Sequence, residues 1–222
     1  MTQVLPISAW LRSRYIPSVA DRTIDFVLFD LGGVLIELGD RARLQEISQI
    51  VGTEEIWHQW LTSPWVRRFE KGQCSATEFS VGVLAEWGVD IAPQRFLEIF
   101  RDWPIGPYPG TTELLAELKR SVSIGCLSNT NAMHWAHQTS LWPMLDMFDI
   151  RFLSFELGLA KPDEAIFHAV DERIPFSRDR VLYLDDVEAN ADAARSFGFP
   201  SVQVRGLEEV EAVLHEVGVL SS

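Results

Sequence analysis

Five short apolar runs alternate with helix-like segments along the chain, and this alternation limits most strongly the folds it can adopt. The apolar runs cover residues 24–29, 122–127, 150–153, 181–184 and 201–204. The helical segments cover residues 112–120, 131–141, 163–171, 189–197 and 208–217. Strands that alternate with helices pair in parallel through crossover connections. The predicted fold class is therefore α/β, with a doubly wound parallel sheet.

The interval between Glu37 and Gly110 is too long for an ordinary crossover, which needs one helix. It has helical periodicity and no convincing strand, and Gly-Pro-rich sequence precedes Gly110. We expect a helical subdomain at 39–106, inserted into a core domain of 23–38 and 107–222, after an N-terminal extension of 1–22.

Large apolar side chains in this insertion are expected to form a small core rather than to contact a ligand. They are Trp57, Trp60, Trp65, Phe69, Phe79, Leu84, Trp87, Phe96, Phe100 and Trp103.

The charge of the chain argues against nucleic acid as a partner. Its 32 acidic residues exceed its 19 basic residues, and the formal net charge is −13. This charge would repel a phosphate backbone unless basic residues were clustered locally. No run of Lys or Arg supplies such a cluster, so we expect no nucleic-acid partner.

Cysteine content and hydropathy indicate where the protein works. Cys74 and Cys126 lie far apart and belong to no CxxC or Cys/His cluster, which argues against a disulfide scaffold and against structural zinc. No segment approaches the roughly 20 apolar residues of a membrane helix, and the N-terminal residues lack a secretory h-region. We expect a protein of the reducing cytoplasm that binds no membrane. The sequence does not fix its oligomeric state.

Reactive side chains follow four of the five predicted strands. Asp30 comes directly after the first run, and the second run leads into Ser128. The third is followed by a loop that carries Lys161, and the fourth leads into Asp185 and Asp186. The carboxyl ends of parallel strands meet at one edge of the sheet, where ligands bind near the switch point. The pattern therefore predicts one shared site.

Each of these residues taken alone has a structural explanation, because an Asp or Ser at a strand end usually caps a helix or forms a turn. Together they indicate chemistry, since two or three carboxylates at one edge repel one another unless a divalent cation lies between them. Oxygen ligands without His or Cys suit magnesium, which shares the phosphate oxygens of its substrates. We expect Mg²⁺ as the cofactor.

Four short motifs resemble, in order, those of the haloacid dehalogenase superfamily of aspartate-nucleophile hydrolases. They are Phe-Asp-Leu-Gly-Gly-Val-Leu at 29–35, Leu-Ser-Asn at 127–129, Lys161-Pro162, and Leu-Asp-Asp at 184–186 with Asn190. The resemblance covers residues 24–204, and the helical insertion is similar to the family's helical cap. Within the superfamily, the chain resembles the branch that contains alpha-glucose-1-phosphate phosphatase and the phosphatase domain of soluble epoxide hydrolase.

The resemblance implies a phosphatase whose nucleophile is Asp30. This residue would attack the phosphorus of a small phosphorylated metabolite, such as a sugar phosphate, and form an aspartyl-phosphate that water hydrolyses. The implied magnesium ligands are the carboxylates of Asp30 and Asp186 and the carbonyl of Gly32, with Asp185 binding the ion directly or holding its ligands. Lys161 would offset the negative charge of the catalytic centre. The implied phosphate-binding residues are Gly32, Gly33, Ser128, Asn129 and Lys161.

Gly32 departs from the family pattern, because phosphatases of this kind usually carry Asp there to protonate the leaving oxygen and then activate water. Loss of such help typically slows a reaction about 100- to 10,000-fold. The alternatives are a phosphatase that uses another acid or a good leaving group, a dehalogenase that needs no magnesium, and an inactive protein that binds a phosphorylated metabolite or another protein. The pair Asp185-Asp186 favours the phosphatase.

Substrate choice is expected to depend on cap residues that face the core. The polar candidates are His58, Arg67, Arg68, Glu70 and Lys71, although a solvated helix face explains them equally well.

Overall fold

The computed structural model describes residues 23–39 and 53–220. Its strands are β1 (Phe26–Phe29), β2 (Ile36–Leu38), β3 (Pro104–Pro107), β4 (Ser123–Ser128), β5 (Ile150–Leu153), β6 (Val181–Asp185) and β7 (Ser201–Gln203). The predicted N-terminal extension, 1–22, lies outside the described residues.

The helices fall into two groups. Between β2 and β3 lie α1 (Thr53–Thr62), α2 (Pro64–Glu70), α3 (Ala76–Trp87) and α4 (Pro93–Arg101). After β3 come α5 (Thr111–Leu118), α6 (Ala132–Leu141), the short α7 (Ser154–Leu157), α8 (Glu164–Asp171), α9 (Glu188–Phe197) and α10 (Gly206–Glu216).

The sheet confirms the predicted α/β class with a doubly wound parallel sheet. Its five parallel strands lie in the order β5-β4-β1-β6-β7. The chain runs outward from β1 to β4 and β5, and then crosses back to place β6 on the other side of β1. The switch point is therefore between β1 and β6, and the crevice for a ligand lies beyond Phe29 and Asp185.

Both faces of the central strand are buried, which explains its continuous apolar run. Val27 and Phe29 belong to a cluster on one face with residues of α5 and α10. Phe26 and Leu28 belong to a cluster on the other face with residues of α8 and α9. Successive side chains of a strand point to opposite faces, so four consecutive apolar residues serve both layers of helices.

Helices α1–α4 share an apolar cluster of their own, as expected for the insertion. In its centre, the rings of Phe69 and Phe79 stack with centroids 4.3 Å apart. Trp57 and Trp65 are only partly buried and pack against its edge. The buried members are Trp60, Val66, Phe69, Phe79, Val83, Leu84, Trp87, Val89, Phe96, Phe100 and Trp103. Packing is thus a role of all these aromatic residues, but the expectation that they contact no ligand is not met by the whole set, because Trp57, Trp60, Phe100 and Trp103 also line the cavity described below.

The prediction that no strand lies between Glu37 and Gly110 is wrong. Strands β2 and β3 pair antiparallel, with Glu37 opposite Gly106 and Leu38 opposite Pro104. Three residues in one strand and a Pro-Ile-Gly-Pro sequence in the other carry too little periodicity to be recognised. Proline is tolerated here because β3 is an edge strand. The expected division at 106/107 falls inside β3.

None of the described helices is long and apolar enough to cross a bilayer.

Candidate active site

Asp30 begins the loop that follows β1. Its N–H donates to the carbonyl of Leu184 on β6 at 2.8 Å, which extends the strand pairing by one residue. The loop then turns back on itself, and the N–H of Ile36 donates to the carbonyl of Leu31 at 2.8 Å. Asp30 is only 8% exposed. Its carboxylate therefore lies at the switch point in a largely desolvated position.

The two glycines after Asp30 have different surroundings. The N–H of Gly33 donates to the carbonyl of Ile36 at 2.8 Å. Gly33 has a φ of 72°, and a Cβ there would lie 2.5 Å from Asp186 Oδ2. Within residues 23–39 and 53–220, by contrast, no acceptor is found for the N–H of Gly32. Of the two glycine amides expected to bind phosphate, only that of Gly32 is therefore available, because the amide of Gly33 is used inside the loop.

Asp185 ends β6 and is completely enclosed. The hydroxyl of Tyr183 donates to its Oδ2, and the Lys161 ammonium lies 2.7 Å from the same oxygen. The amide of Asn190 donates to Oδ1 at 3.0 Å, and the N–H of Val187 donates to Oδ1 at 2.8 Å. A carboxylate offers about four lone-pair sites, so these donors saturate Asp185. Its position suits a residue that orients its neighbours.

Lys161 reaches the crevice from the loop that precedes α8, and its peptide bond to Pro162 is cis. The side chain of Asn129 holds its backbone, accepting from the Lys161 N–H at 2.9 Å and donating to the carbonyl at 3.1 Å. The ammonium lies 2.9 Å from Asp30 Oδ1 and 2.7 Å from Asp185 Oδ2. Asn129 thus fixes the lysine, and the lysine joins the ends of β1 and β6.

The site holds more negative than positive charge. Carboxylate oxygens of Asp30, Asp185 and Asp186 all lie within 4.8 Å of one another. Burial raises the pKa of Asp30 to about 8, against the effect of Lys161 and with added repulsion from the other two carboxylates. Burial is the main cause that raises the pKa of Asp186 to about 6, and repulsion from the carboxylate of Asp185 adds to the rise. Burial alone would lower the pKa of Lys161, but Asp185 and Asp30 together raise it. The lysine stays charged, and the cluster still favours one more cation.

A cavity of about 330 Å³ opens in front of Asp30. The end beside Asp30 is polar and includes Gly32, Ser128, Lys161 and Asp186. Ser128 ends β4 and is itself buried. Most of the remaining wall is apolar and consists of Leu31, Ile36, Leu38, Trp57, Trp60, Leu61, Val66, Phe100, Trp103 and Pro104. The volume is at the lower end of the about 300–1,000 Å³ of ligand pockets, so the cavity suits a small molecule with a polar end and an apolar body.

The helices of the insertion contribute two charged residues to this cavity, Arg67 and Glu70 of α2. The other three polar candidates lie elsewhere. His58 and Arg68 are exposed. The ammonium of Lys71 lies 3.0 Å from the carboxylate of Asp163, the residue before α8. The sequence included Arg67 and Glu70 among its five candidates but could not identify which of the five face the site.

Tyr183 is a site residue that sequence reasoning missed. Its side chain is fully buried and its hydroxyl donates to Asp185. Residues at i and i+2 of a strand point to the same face, so the spacing of Tyr183 and Asp185 carried a usable signal.

His134 of α6 also lines the cavity. Its Nε2 lies 2.7 Å from the carbonyl of Phe100 and its Nδ1 lies 3.2 Å from the amide of Asn131. Burial lowers the pKa of His134 to about 4. With both ring nitrogens engaged and no charge at neutral pH, this histidine joins α6 to α4 and has no free nitrogen for proton transfer.

The fold and the site together define a doubly wound α/β protein with an aspartate at the switch point of its sheet. The profile described as haloacid dehalogenase-like hydrolase matches residues 24–198, and the chain belongs to this family.

Similar proteins include both phosphatases and dehalogenases. D-ribitol-5-phosphate phosphatase of Bacteroides thetaiotaomicron is 26% identical over 193 residues, which cover 80% of this chain and 90% of that protein. A (S)-2-haloacid dehalogenase of Pseudomonas fluorescens is 25% identical over 191 residues, which cover 81% of this chain and 83% of that protein.

A haloacid dehalogenase-family enzyme from Bacteroides thetaiotaomicron has been solved in complex with magnesium and inorganic phosphate. It is 28% identical with a TM-score of 0.69, and the match covers 82% of this chain and 94% of that one.

Proposed function

We propose that the protein is a magnesium-dependent phosphatase that hydrolyses small phosphomonoesters through an aspartyl-phosphate on Asp30. The observation that carries this proposal is the third carboxylate, Asp186, which has an oxygen within 4.8 Å of oxygens of Asp30 and Asp185, the two carboxylates that contact Lys161. A dehalogenase uses the same nucleophile but needs no magnesium, so an additional carboxylate suited to a metal ion favours the phosphatase. The phosphatase and the magnesium-bound structure among the similar proteins support the same choice.

The donor set fits magnesium. Asp30 and Asp186 present hard oxygen ligands. Burial, with added repulsion from neighbouring carboxylates, raises the pKa of both, so a cation beside them would favour their charged forms. Magnesium would be held by these two carboxylates and by the carbonyl of Gly32, and it would supply positive charge for the phosphoryl oxygens. Asp185 is saturated by other donors, so we assign it to positioning rather than to direct ligation.

In the proposed reaction, an oxygen of Asp30 attacks phosphorus while the bond from phosphorus to the leaving oxygen breaks. The Lys161 ammonium, 2.9 Å from Asp30 Oδ1, balances the charge as the phosphoryl group approaches. The hydroxyl of Ser128 and the N–H of Gly32 would donate to its oxygens. Water then attacks the same phosphorus, which releases phosphate and restores the carboxylate of Asp30.

We further propose that helices α1–α4 act as a cap over the site. Arg67 donates to the carbonyl of Lys161 at 2.5 Å and pairs with Asp163 at 2.6 Å. These contacts hold α2 against the loop that carries the catalytic lysine. Residues from α1, α2 and α4 line the cavity beside core residues, so closure of the helices would exclude water from the reacting groups.

The apolar wall favours a leaving group with an alkyl or aryl body over a bare sugar. Hydroxyls placed against Trp57, Leu61 and Trp103 would lose water without gaining partners there, and this loss is unfavourable. We propose higher kcat/KM for alkyl and aryl phosphates than for sugar phosphates of the same charge.

The free thiols of Cys74 and Cys126 support the expected reducing, cytoplasmic location.

Phosphate release from p-nitrophenyl phosphate tests the proposal. Release should require added Mg²⁺, stop with EDTA, and be lost in Asp30→Asn but not in the matched control Asp90→Asn, at an exposed loop position. Release that persists in EDTA or in Asp30→Asn would contradict the mechanism. Halide release from a 2-haloacid would establish the dehalogenase instead, and no release from any ester would leave a binding protein.

A further inference from the structure

Proton transfer to the leaving group has no donor at Gly32, and the cavity offers few substitutes. The titratable residues in its described lining are Asp30, Arg67, Glu70, His134, Lys161 and Asp186. Asp30 serves as the nucleophile and Asp186 faces it, so neither is free for this duty. Lys161 contacts two carboxylates, and Arg67 stays protonated at any physiological pH. His134 has both ring nitrogens engaged. Glu70 remains.

Glu70 is half-buried and lines the cavity wall. Within residues 23–39 and 53–220, it makes no hydrogen bond or ion pair with another side chain or with the backbone, in contrast to the saturated Asp185. An acid that is screened from bulk water and has no protein partner is free to bond with a ligand.

Several contacts fix the backbone around Glu70 against the core. One turn earlier, Arg67 donates to the carbonyls of Lys161 and Ala160. The next residue, Lys71, pairs with Asp163 at 3.0 Å. Gly72 follows with a φ of 65°, and a Cβ there would lie 2.6 Å from the carbonyl of Phe155. Residues i and i+3 share one helix face, so Arg67 and Glu70 both face the loop of the catalytic lysine.

We propose that Glu70 is the general acid and base of this enzyme, replacing from α2 the carboxyl group that Gly32 lacks. This inference rests on the proposed function. As Asp30 bonds to phosphorus and the bond to the leaving oxygen breaks, the carboxylic acid of Glu70 gives its proton to that oxygen, and the alcohol departs. The Glu70 carboxylate then takes a proton from the water that attacks the aspartyl-phosphate. Phosphate leaves, the Asp30 carboxylate is restored, and Glu70 is again protonated.

The charges around Glu70 suit both halves of this cycle. Burial raises the pKa of Glu70 to about 7, and the positive charges of Arg67 and Lys161 limit the rise. Lys71 and Asp163 form an ion pair beside the same helix end, and Asp30 and Asp186 lie across the cavity. A group with a pKa near the working pH is efficient both as an acid and as a base.

The test compares Glu70→Gln with the matched control Glu86→Gln, whose side chain is exposed on α3 and still able to accept from Ser63. Two probes are used, n-butyl phosphate with a poor leaving group and p-nitrophenyl phosphate with a good one. Glu70→Gln should lower kcat for butyl phosphate about 100- to 10,000-fold and affect p-nitrophenyl phosphate much less. For the wild-type protein, we expect the rate with butyl phosphate to fall as the pH rises through about 7. This alkaline limb should be absent in Glu70→Gln.

Glu70→Asp keeps a carboxyl group and should keep the pH limb at a reduced rate. Equal losses for both probes with an unchanged pH profile would show a merely structural role and overturn the inference, as would full activity of Glu70→Gln. These outcomes leave the proposed function standing. If the wild-type protein released phosphate from neither probe, both the function and the role of Glu70 would fall together.

Discussion

The Lys161 ammonium and the Asp185 carboxylate lie 2.7 Å apart, and both side chains are closed off from solvent. Neither group could be buried alone at reasonable cost. The pair fixes the amine of Lys161 beside Asp30, so the integrity of the proposed catalytic centre depends on a residue that does not itself need to touch the substrate.

Asp185→Asn should therefore destabilise the fold. Removing one partner of a buried ion pair costs about 3–5 kcal/mol, and the remaining contact of Lys161 with Asp30 should keep the loss near the lower end. Tyr183→Phe removes one hydrogen bond to the same carboxylate and should cost about 0.5–1.5 kcal/mol. Urea unfolding of Tyr183→Phe, of Asp185→Asn and Lys161→Met singly, and of the double variant Lys161→Met with Asp185→Asn measures these losses and the coupling between Lys161 and Asp185. Strictly additive effects would show that the pair contributes no interaction energy.

Gly33→Ala should weaken magnesium binding, because its Cβ would lie 2.5 Å from Asp186 Oδ2. Gly88→Ala is the control, since Gly88 also has a positive φ but has nothing within 4 Å of the added carbon. Both variants should lose about 1–2 kcal/mol of stability from the left-handed backbone. Only Gly33→Ala should shift the calorimetric Mg²⁺ titration, and an unshifted titration would remove Asp186 from the proposed metal site.

Gly32→Asp should restore proton transfer where Glu70 has been disabled. The new Cβ would lie 3.3 Å from Leu38 Cδ1, the end of a flexible side chain, so the change should be tolerated. In the Glu70→Gln background it should raise kcat for butyl phosphate at least tenfold, since general acid help is typically worth about 100-fold or more. Gly32→Asn has the same shape without the acid and should give no rescue. Rescue by Asn as strong as by Asp would argue against proton transfer.

Much of the fold could be predicted from periodicity alone. The five strands of the main sheet and the five expected crossover and terminal helices begin and end within two residues of their predicted limits. Long apolar runs and amphipathic segments carry strong signals. The pair β2 and β3 was missed because its register depends on tertiary contact and its proline-rich strand has no alternation.

That the residues of the candidate site lie together was predictable, but their contacts were less so. Asp30, Ser128, Lys161 and Asp186 were identified because they follow predicted strands, and a parallel topology brings the ends of such strands together. No sequence pattern reveals that the amide of Gly33 is used within its own loop. Such facts depend on how distant segments pack, as does the choice of Glu70 from several polar residues on α2.

Stability of the metal-free protein should fall between pH 6.5 and 8. The folded state holds protons on Asp30 and Glu70, whose pKa values are raised to about 8 and about 7 by burial, while the unfolded chain has already released them. Stability falls with pH wherever the folded state binds more protons. His134 acts in the opposite direction only at lower pH, because its pKa is lowered to about 4. Thermal unfolding in EDTA checks this.

Asp30→Asn should flatten that pH dependence, and Mg²⁺ should restore stability most strongly at pH 8. A melting temperature that rises from pH 6.5 to 8 in EDTA would contradict the raised pKa values.

Trapping the covalent intermediate tests the central claim most directly. Acid quench of the wild-type protein during turnover of p-nitrophenyl phosphate with Mg²⁺, followed by peptide mass spectrometry, should show one phosphoryl group on Asp30. Glu70→Gln, in which water is activated poorly, should accumulate more of it. A phosphoryl group on another residue, or turnover with no phosphorylated peptide in either protein, would contradict Asp30 as the nucleophile.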